Sequence, residues 1–302
     1  MAPMSYEVRP SKAVARLVFV DFLRHLIPIG KPKEYQYVGF GALEFIDFDL
    51  VHRVVGVNDM ISIEADSRSI ARYEWNRPFS SIAVMPGRAS SVLPTIDWRK
   101  LSIVWLDYTS GLTTEVISDA ASLARVLIPG SVLAITVNAQ PLRYGEGRRE
   151  ALERSITPER VPVGVTDDRL GGWGLAHVQH QVLTDELSTT FATRLDAAKF
   201  RQFLNIRYKD SVQMQVIVGI VSSPGMDNLI DQCKFDYMAE MKTGADALYI
   251  RVPLLTARER AWANQRLPLN PGDPPLELAG VDPHDLEDYA DVYRRLTTVG
   301  SG

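Results

Sequence analysis

The chain has 302 residues, of which 46% are apolar and 23% charged, and its net charge is −4. This composition is typical of an ordinary soluble globular protein, and no apolar run approaches the roughly 18 residues of a membrane span. The charge argues against a protein wholly devoted to holding phosphate backbones, although a local basic patch is compatible with it. A single cysteine, Cys233, excludes an internal disulfide and a multi-cysteine zinc site. We therefore expect a reducing, cytoplasmic location and, from residues 1–16, no signal peptide.

The first half of the chain predicts strands and helices in alternation. A helix is expected over 10–27, between Pro10 and Pro28. The apolar run 35–41 ends in Gly-x-Gly, which is typical of a strand that turns into a crossover helix, here 42–55. Further strands are predicted over 59–66, 81–85, 101–108 and 131–137. Helices are predicted over 67–76, with Ser67 as its cap, and over 113–127, after Thr113. Such alternation predicts parallel βαβ units in an α/β fold, a three-layer sandwich around a mostly parallel sheet of about seven strands.

The second half is less regular. Gly, Pro and Arg recur over 140–185, which predicts a long insertion that acts as a lid or faces a substrate. A helix is predicted over 187–205, strands over 212–221 and 247–252, a helix-prone linker over 226–241 and a terminal helix over 283–296. Residues 300–302 are expected to be a frayed end. We interpret residues 1–302 as a single domain with a C-terminal helical extension over about 256–298.

The glycine turn indicates what kind of ligand to expect. Gly39 and Gly41 allow a sharp turn and a close approach of ligand to backbone, although a tight turn without a ligand is the alternative. A dinucleotide-binding motif would place its third glycine at Glu44, where a carboxylate is unfavourable beside a pyrophosphate. Glu64 lies near the end of the next predicted strand and can accept hydrogen bonds from ribose hydroxyls. A nucleoside without phosphates is therefore favoured, and S-adenosylmethionine fits that description.

Over residues 35–138 the order of motifs resembles class I S-adenosylmethionine-dependent methyltransferases, which have a Rossmann-like fold, and residues 212–252 resemble their closing antiparallel strands. The resemblance implies that the turn Gly39, Phe40 and Gly41 passes under the methionine part of the cofactor. It implies a ribose contact at Glu64, beside Ala65. Positions that would flank adenine are Met85, Pro86, Gly87 and Arg88. Asp107 and Tyr108, which end the fourth strand, would face the methyl donor and the acceptor as catalytic residues, with Asp107 also near the cofactor.

The chain departs from that family's pattern at three positions. Tyr37 stands where a carboxylate is usual, Leu43 replaces the third glycine, and Arg88 lies where an acidic residue is usual. These departures keep open a second hypothesis, in which a methyltransferase-like module has lost turnover and senses a nucleoside or scaffolds a larger bacterial complex. A nicotinamide-dependent oxidoreductase is a third, weaker hypothesis, since Glu64 is compatible with NAD but Glu44 at the third glycine position speaks against it. The acceptor is either an oxygen or nitrogen of a small molecule or a nucleic-acid base, and a homo-oligomer is equally open.

Three other groups of residues have two interpretations each. Arg9, Lys12 and Arg16 form either a solvated basic face or contacts to phosphate or carboxylate beside the cofactor site. His177 and His180 suit a shared metal or a proton shuttle if helical, but spacing fixes no carboxylate beside them, so we expect no metal and a metal-independent activity. The segment 171–174, around Trp173, is either a mobile aromatic flap or an ordinary turn.

Overall fold

A central sheet organises the computed structural model, which describes residues 9–143 and 146–296. The sheet order is β3-β2-β1-β4-β5-β7-β6-β8. Strands β1 to β5 run parallel, β7 is antiparallel to both β5 and β6, and β8 is parallel to β6. The strands are β1 (Tyr35–Gly39), β2 (Asp59–Glu64), β3 (Ile82–Pro86), β4 (Leu101–Asp107), β5 (Val132–Asn138), β6 (Lys199–Lys209), β7 (Gln213–Ser222) and β8 (Leu248–Ile250).

Helices cover both faces of this sheet. They are α1 (Pro10–Arg24), α2 (Ile46–Leu50), α3 (Ile70–Asn76), α4 (Ala89–Val92), α5 (Thr114–Val126), α6 (Arg148–Ile156), α7 (Gly174–Ala192), α8 (Asp227–Gln232), α9 (Ala257–Asn264) and α10 (Pro283–Val292). A π-helical turn (Val51–Val55) extends α2. Short 3-10 turns lie at Pro32–Glu34, Ser67–Ser69, Leu93–Thr95, Pro158–Arg160, Asp168–Leu170, Phe235–Tyr237 and Tyr293–Arg295. Throughout the described ranges, each helix is too short or too polar to cross a bilayer.

The core forms because the central strands are apolar on both faces. β5 is buried from Val132 to Val137, as expected for a strand covered by helices on each side. On one face, α1 and α2 pack against the sheet through residues such as Phe19 and Phe48. On the other face, α5 and α7 contribute residues such as Ile117 and Leu183.

The predicted α/β class and the parallel strands β1 to β5 are confirmed, and the sheet has eight strands in the described residues where about seven were expected. The predicted helix 10–27 corresponds to α1, and the predicted helix 113–127 corresponds to α5. Thr113 caps α5 by accepting a hydrogen bond from the Val116 amide. The crossover helix begins only at Ile46. Asp66, and not Ser67, caps the turn before α3, because its carboxylate accepts from the Arg68 amide.

The helix predicted over 187–205 is wrong at its C-terminal end. α7 ends at Ala192, and β6 begins at Lys199. β6 contains polar residues, which hide its strand pattern in the sequence. Residues distant in the sequence satisfy them: Asn205 donates to the carbonyls of residues 244–246 and accepts from Gln215. The predicted strand 247–252 corresponds to β8, which is parallel to β6 and not part of an antiparallel closing pair.

The insertion predicted over 140–185 is largely helical in its described part. It contains α6 and the first half of α7, and these two helices lie on the same face of the sheet as α5. The predicted terminal helix corresponds to α10, which packs with α9 in a small separate apolar cluster. The expectation for residues 300–302 lies outside the described residues.

Candidate active site

The carboxyl ends of β1, β2 and β4 meet at one edge of the sheet. Gly39, the last residue of β1, is paired with Ser62 of β2 on one side and with Trp105 of β4 on the other. The strand order reverses direction between β1 and β4, and such a switch point opens a crevice beyond the strand ends. The predicted site residues of these strands therefore share one edge.

The glycine turn after β1 is tightly packed against the chain itself. A Cβ on Gly41 would lie 2.5 Å from both the Phe45 ring and the Ser62 hydroxyl, and a Cβ on Gly39 would lie 3.0 Å from the Trp105 carbonyl oxygen. Ala42 and Phe45 have φ values of +52° and +50°, in a region that costs energy for residues other than glycine. Internal packing therefore requires glycine at position 41, whether or not a ligand is bound.

Glu64 lies where the sequence places it, at the end of β2 and against the glycine turn. Its Oε1 accepts hydrogen bonds from the Gly41 amide at 3.0 Å and from the Ser62 hydroxyl at 2.7 Å. Burial raises the pKa of the Glu64 carboxyl, although hydrogen bonds from Ser62 and from the amides of Gly41 and Ala42 act in the opposite direction. The carboxylate thus fastens the end of β2 to the turn after β1.

The neighbouring predicted residues are more exposed. Ala65 and Arg88 are exposed, and the Arg88 guanidinium lies 3.4 Å from the Glu115 carboxylate. Gly87 has a φ of +141°, and its amide donates to the Glu64 carbonyl at 2.9 Å, which fixes the turn after β3 beside the end of β2. These contacts bring the predicted adenine and ribose positions together, and their contact with a cofactor stays a prediction.

Asp107 does not stand alone at the end of β4, because it forms an ion pair with Lys12 of α1. A second ion pair, between Arg16 and Asp47, lies next to it on the same face, and all four side chains are at least 88% buried. The solvated basic face is therefore the wrong interpretation for Lys12 and Arg16, which contact carboxylates. Asp107 Oδ1 is buried and has no hydrogen-bond partner among the described residues. It can accept a hydrogen bond from a ligand at this edge.

Tyr108 directs its hydroxyl away from that pair. The hydroxyl donates to Asp119 of α5 at 2.6 Å, and the ring packs edge-on against Phe40 with a centroid distance of 5.2 Å. Burial and the hydrogen bond to Asp119 raise the pKa of Tyr108, and burial raises the pKa of Asp119. The phenol therefore holds its proton at neutral pH, and the ring is the part of Tyr108 that lies beside the glycine turn.

A cavity of about 280 Å³, which sequence reasoning missed, opens beside the loop that follows β4. Most of its lining is apolar, and its described lining residues are Gly111, Leu112, Asn138, Gln140, Pro141, Leu142, Arg148, Ala151, Leu152, Ser155, Leu170, Leu175 and Gln179. These residues come from five separate parts of the chain, so no local sequence pattern predicts the cavity. A larger cavity of about 670 Å³ lies at the opposite edge, around Gly30 and Tyr35 at the start of β1, away from the switch point.

The remaining candidates lie elsewhere. His180 is buried in α7 with its Nε2 2.7 Å from Gln202 Oε1, and burial lowers its pKa. His177 is exposed on the same helix. Within the described ranges, no three His, Cys, Asp or Glu residues are arranged to hold a metal ion. Trp173 ends the turn before α7, and its ring packs against that of Tyr249 with a centroid distance of 5.6 Å. Whether this turn acts as a flap stays a prediction.

The strand order, the antiparallel β7, the glycine turn and the carboxylate that ends β2 together define a class I methyltransferase fold of the Rossmann-like type. A family model described as "Putative O-methyltransferase" matches residues 4–298. The chain belongs to that family, which confirms the resemblance seen in the sequence.

Solved structures with similar folds share little sequence with this chain. Trm1 from Pyrococcus horikoshii, in complex with S-adenosyl-L-methionine, is 12% identical over 73% of this chain, with a TM-score of 0.46. The match covers 58% of the Trm1 chain. CrArsM, an arsenic(III) S-adenosylmethionine methyltransferase from Chlamydomonas reinhardtii, is 12% identical over 65% of this chain and 66% of its own, with a TM-score of 0.42. The O-methyltransferase TomG from Streptomyces achromogenes, in complex with SAM, is 14% identical over 73% of this chain and 92% of its own, with a TM-score of 0.37. No curated protein sequence matches the chain.

Proposed function

We propose that this protein transfers the methyl group of S-adenosylmethionine to an oxygen atom of an acceptor molecule, in the cytoplasm. The observation that carries the proposal is membership of an O-methyltransferase family over residues 4–298. Oxygen is favoured over nitrogen because the family is described by that acceptor atom. A single cysteine, Cys233, which is buried, supports the cytoplasmic location.

The residues at the switch point fit the cofactor in their chemistry. Glu64 would hold the ribose hydroxyls, since its carboxylate already lies at the turn after β1. The turn from Gly39 to Gly41 would run under the methionine part. Asp107 has a buried oxygen without a partner, and the amino group of the cofactor or the acceptor hydroxyl can donate to it.

These contacts indicate which roles belong to the cofactor and which to the protein. The bound cofactor supplies an electrophilic methyl group. The chain would orient the acceptor beside Asp107, whose side chain is held by the ion pair with Lys12 of α1, and would exclude water from the crevice. Methyl transfer needs no metal ion in principle, and we expect the activity to survive chelation.

Calorimetry with S-adenosylmethionine and with its demethylated product tests the cofactor site. Glu64→Ala should weaken binding by about 1.5–3 kcal/mol, the usual cost of removing a charged hydrogen-bond partner. Glu44→Ala is the matched control, because Glu44 is an exposed carboxylate in the same turn, and its binding should match the wild type. Unchanged binding in a folded Glu64→Ala protein would show that the proposed site is wrong. Binding without methyl release to any acceptor would instead favour the sensor hypothesis.

A further inference from the structure

We propose that the cavity beside Gly111 is the acceptor subsite, and that it takes a compact, mostly apolar alcohol or phenol. The assignment of the bound molecule as a methyl acceptor rests on the proposed function, whereas the binding itself does not. For brevity we call this cavity the Gln179 cavity, after the residue that defines its chemistry.

The side chain of Gln179 indicates a ligand with a hydrogen-bond donor. The residue is 3% exposed and lines the cavity from α7. Its Nε2 donates to the Asn138 carbonyl at 3.2 Å, which fixes the orientation of the amide and leaves Oε1 as the free atom. Oε1 is buried without any partner in the described chain. Buried amide oxygens normally have a donor, so a hydroxyl on a bound molecule would supply what the fold leaves out.

The rest of the lining restricts the ligand further. Five leucines line the cavity, one each from the loop after β4, the segment after β5, α6, the turn before α7 and the start of α7, and they favour an apolar body. Arg148 is the one charged residue in the described lining, so a cationic amine is disfavoured while a neutral molecule or an anion is accepted. Ligand pockets commonly measure about 300–1,000 Å³, and this cavity, at about 280 Å³, suits a compact molecule.

The position of the cavity connects it to the candidate site. Gly111 follows Asp107 by four residues, in the loop that leaves the end of β4. The Asn138 amide donates to the Ser110 carbonyl at 2.8 Å, which holds this loop against the end of β5. The cavity thus opens at the same carboxyl edge as the switch point, on the β5 side, where an acceptor would lie beside the cofactor.

Three fluorinated probes of similar shape test the chemistry by ¹⁹F NMR titration of the wild type without cofactor. 4-Fluorophenol carries the hydroxyl donor, 4-fluorotoluene replaces it with a methyl group, and 4-fluorobenzylamine carries a cation. We expect 4-fluorophenol to bind about tenfold more tightly than 4-fluorotoluene, because only the phenol satisfies Gln179 Oε1. 4-Fluorobenzylamine should bind most weakly. Equal binding of the phenol and the toluene, or tightest binding of the amine, would overturn the proposal without any variant.

Two variants locate the binding. Gln179→Leu replaces the amide by an apolar side chain of similar size and removes the acceptor oxygen, so the phenol and the toluene should bind within twofold of one another. Gly111→Ala adds a methyl group at ordinary contact distance from the Asn138 carbonyl oxygen (3.5 Å) and from Gln179 Nε2 (3.7 Å), and should weaken both probes severalfold. Gly244→Ala is the matched control, since its Cβ would meet nothing within 4 Å. A phenol preference that survives Gln179→Leu in a folded protein would contradict the assignment.

Cofactor calorimetry separates this proposal from the proposed function. If S-adenosylmethionine binds and the Gln179 cavity shows no phenol preference, the subsite is wrong and the function stands. If the phenol preference follows Gln179 but no cofactor binds, the cavity is a binding site and the function is wrong. If both bind, the methyl-transfer rate with 4-fluorophenol should fall severalfold in Gly111→Ala and stay unchanged in Gly244→Ala, and equal rates would remove the cavity from the acceptor path.

Discussion

The buried ion pair between Arg16 and Asp47 offers a direct test of how α1 is held to the sheet. Arg16 is on α1 and Asp47 on α2, and each side chain is only 9% exposed. Burial by itself lowers the pKa of Arg16, but the charge and the hydrogen bond of Asp47 outweigh it and raise that pKa. The guanidinium is therefore charged in the folded state and depends on the carboxylate beside it.

Arg16→Met should destabilise the protein strongly, because it leaves Asp47 as a buried charge without its main partner. Removal of one member of a buried pair costs about 3–5 kcal/mol. With an unfolding entropy of about 2.1 cal/mol/K for each of the 302 residues, that loss lowers the melting temperature by about 5–8 °C. Asp47→Leu should cost a similar amount. The double variant should recover most of the loss, since replacing both charges by apolar groups is often neutral or stabilising.

Urea denaturation at neutral pH, followed by tryptophan fluorescence, gives the four free energies of this double-mutant cycle. Arg154→Met is the control, because Arg154 pairs with Glu150 on α6 while both side chains are well exposed, at 64% and 71%. An exposed pair one helical turn apart contributes only about 0.3–0.5 kcal/mol. A loss for Arg16→Met no larger than that of this control would contradict the prediction. A double variant that loses the full sum of the single losses would contradict it as well.

Three further predictions concern the candidate site. A carboxyl whose pKa is raised by folding stabilises the folded state while protonated, and this contribution is lost as the pH rises through the raised pKa. The stability of the wild type relative to Glu64→Gln should therefore fall from about pH 4.5 upward, and a stability difference that is constant with pH would contradict this prediction. Tyr108→Phe should cost about 1–3 kcal/mol of stability in urea, because Asp119 loses its hydrogen-bond donor, while turnover falls by less than about tenfold; a larger loss of turnover in a stable protein would assign the hydroxyl to catalysis. Asp107→Asn should lower turnover tenfold or more, about 1.4 kcal/mol, with little change in cofactor affinity, and equal turnover in mutant and wild type would remove Asp107 from the mechanism.

The local sequence was sufficient to predict the first half of the sheet. The strands β1, β4 and β5 are short apolar runs between turn residues, and burial on both faces leaves such runs no alternative to a central strand. The cap at Thr113 and the carboxylate at Glu64 were also predictable, because each depends on its place within one strand or one helix start. Position along the chain was enough to put Glu64 at the carboxyl edge.

Only the tertiary structure decided the partners of these residues. Lys12 and Asp107 are 95 positions apart, and nothing near either residue in the sequence indicates the other. β6 resembled the end of a helix because its polar residues, such as Asn205, are satisfied by a loop about 40 residues away. The Gln179 cavity is the extreme case, since it exists only where α6, α7 and the ends of β4 and β5 meet. Hydrogen-bonding patterns along one element are local and can be inferred from the chain, whereas ion pairs and cavities depend on which distant surfaces the packed core brings together.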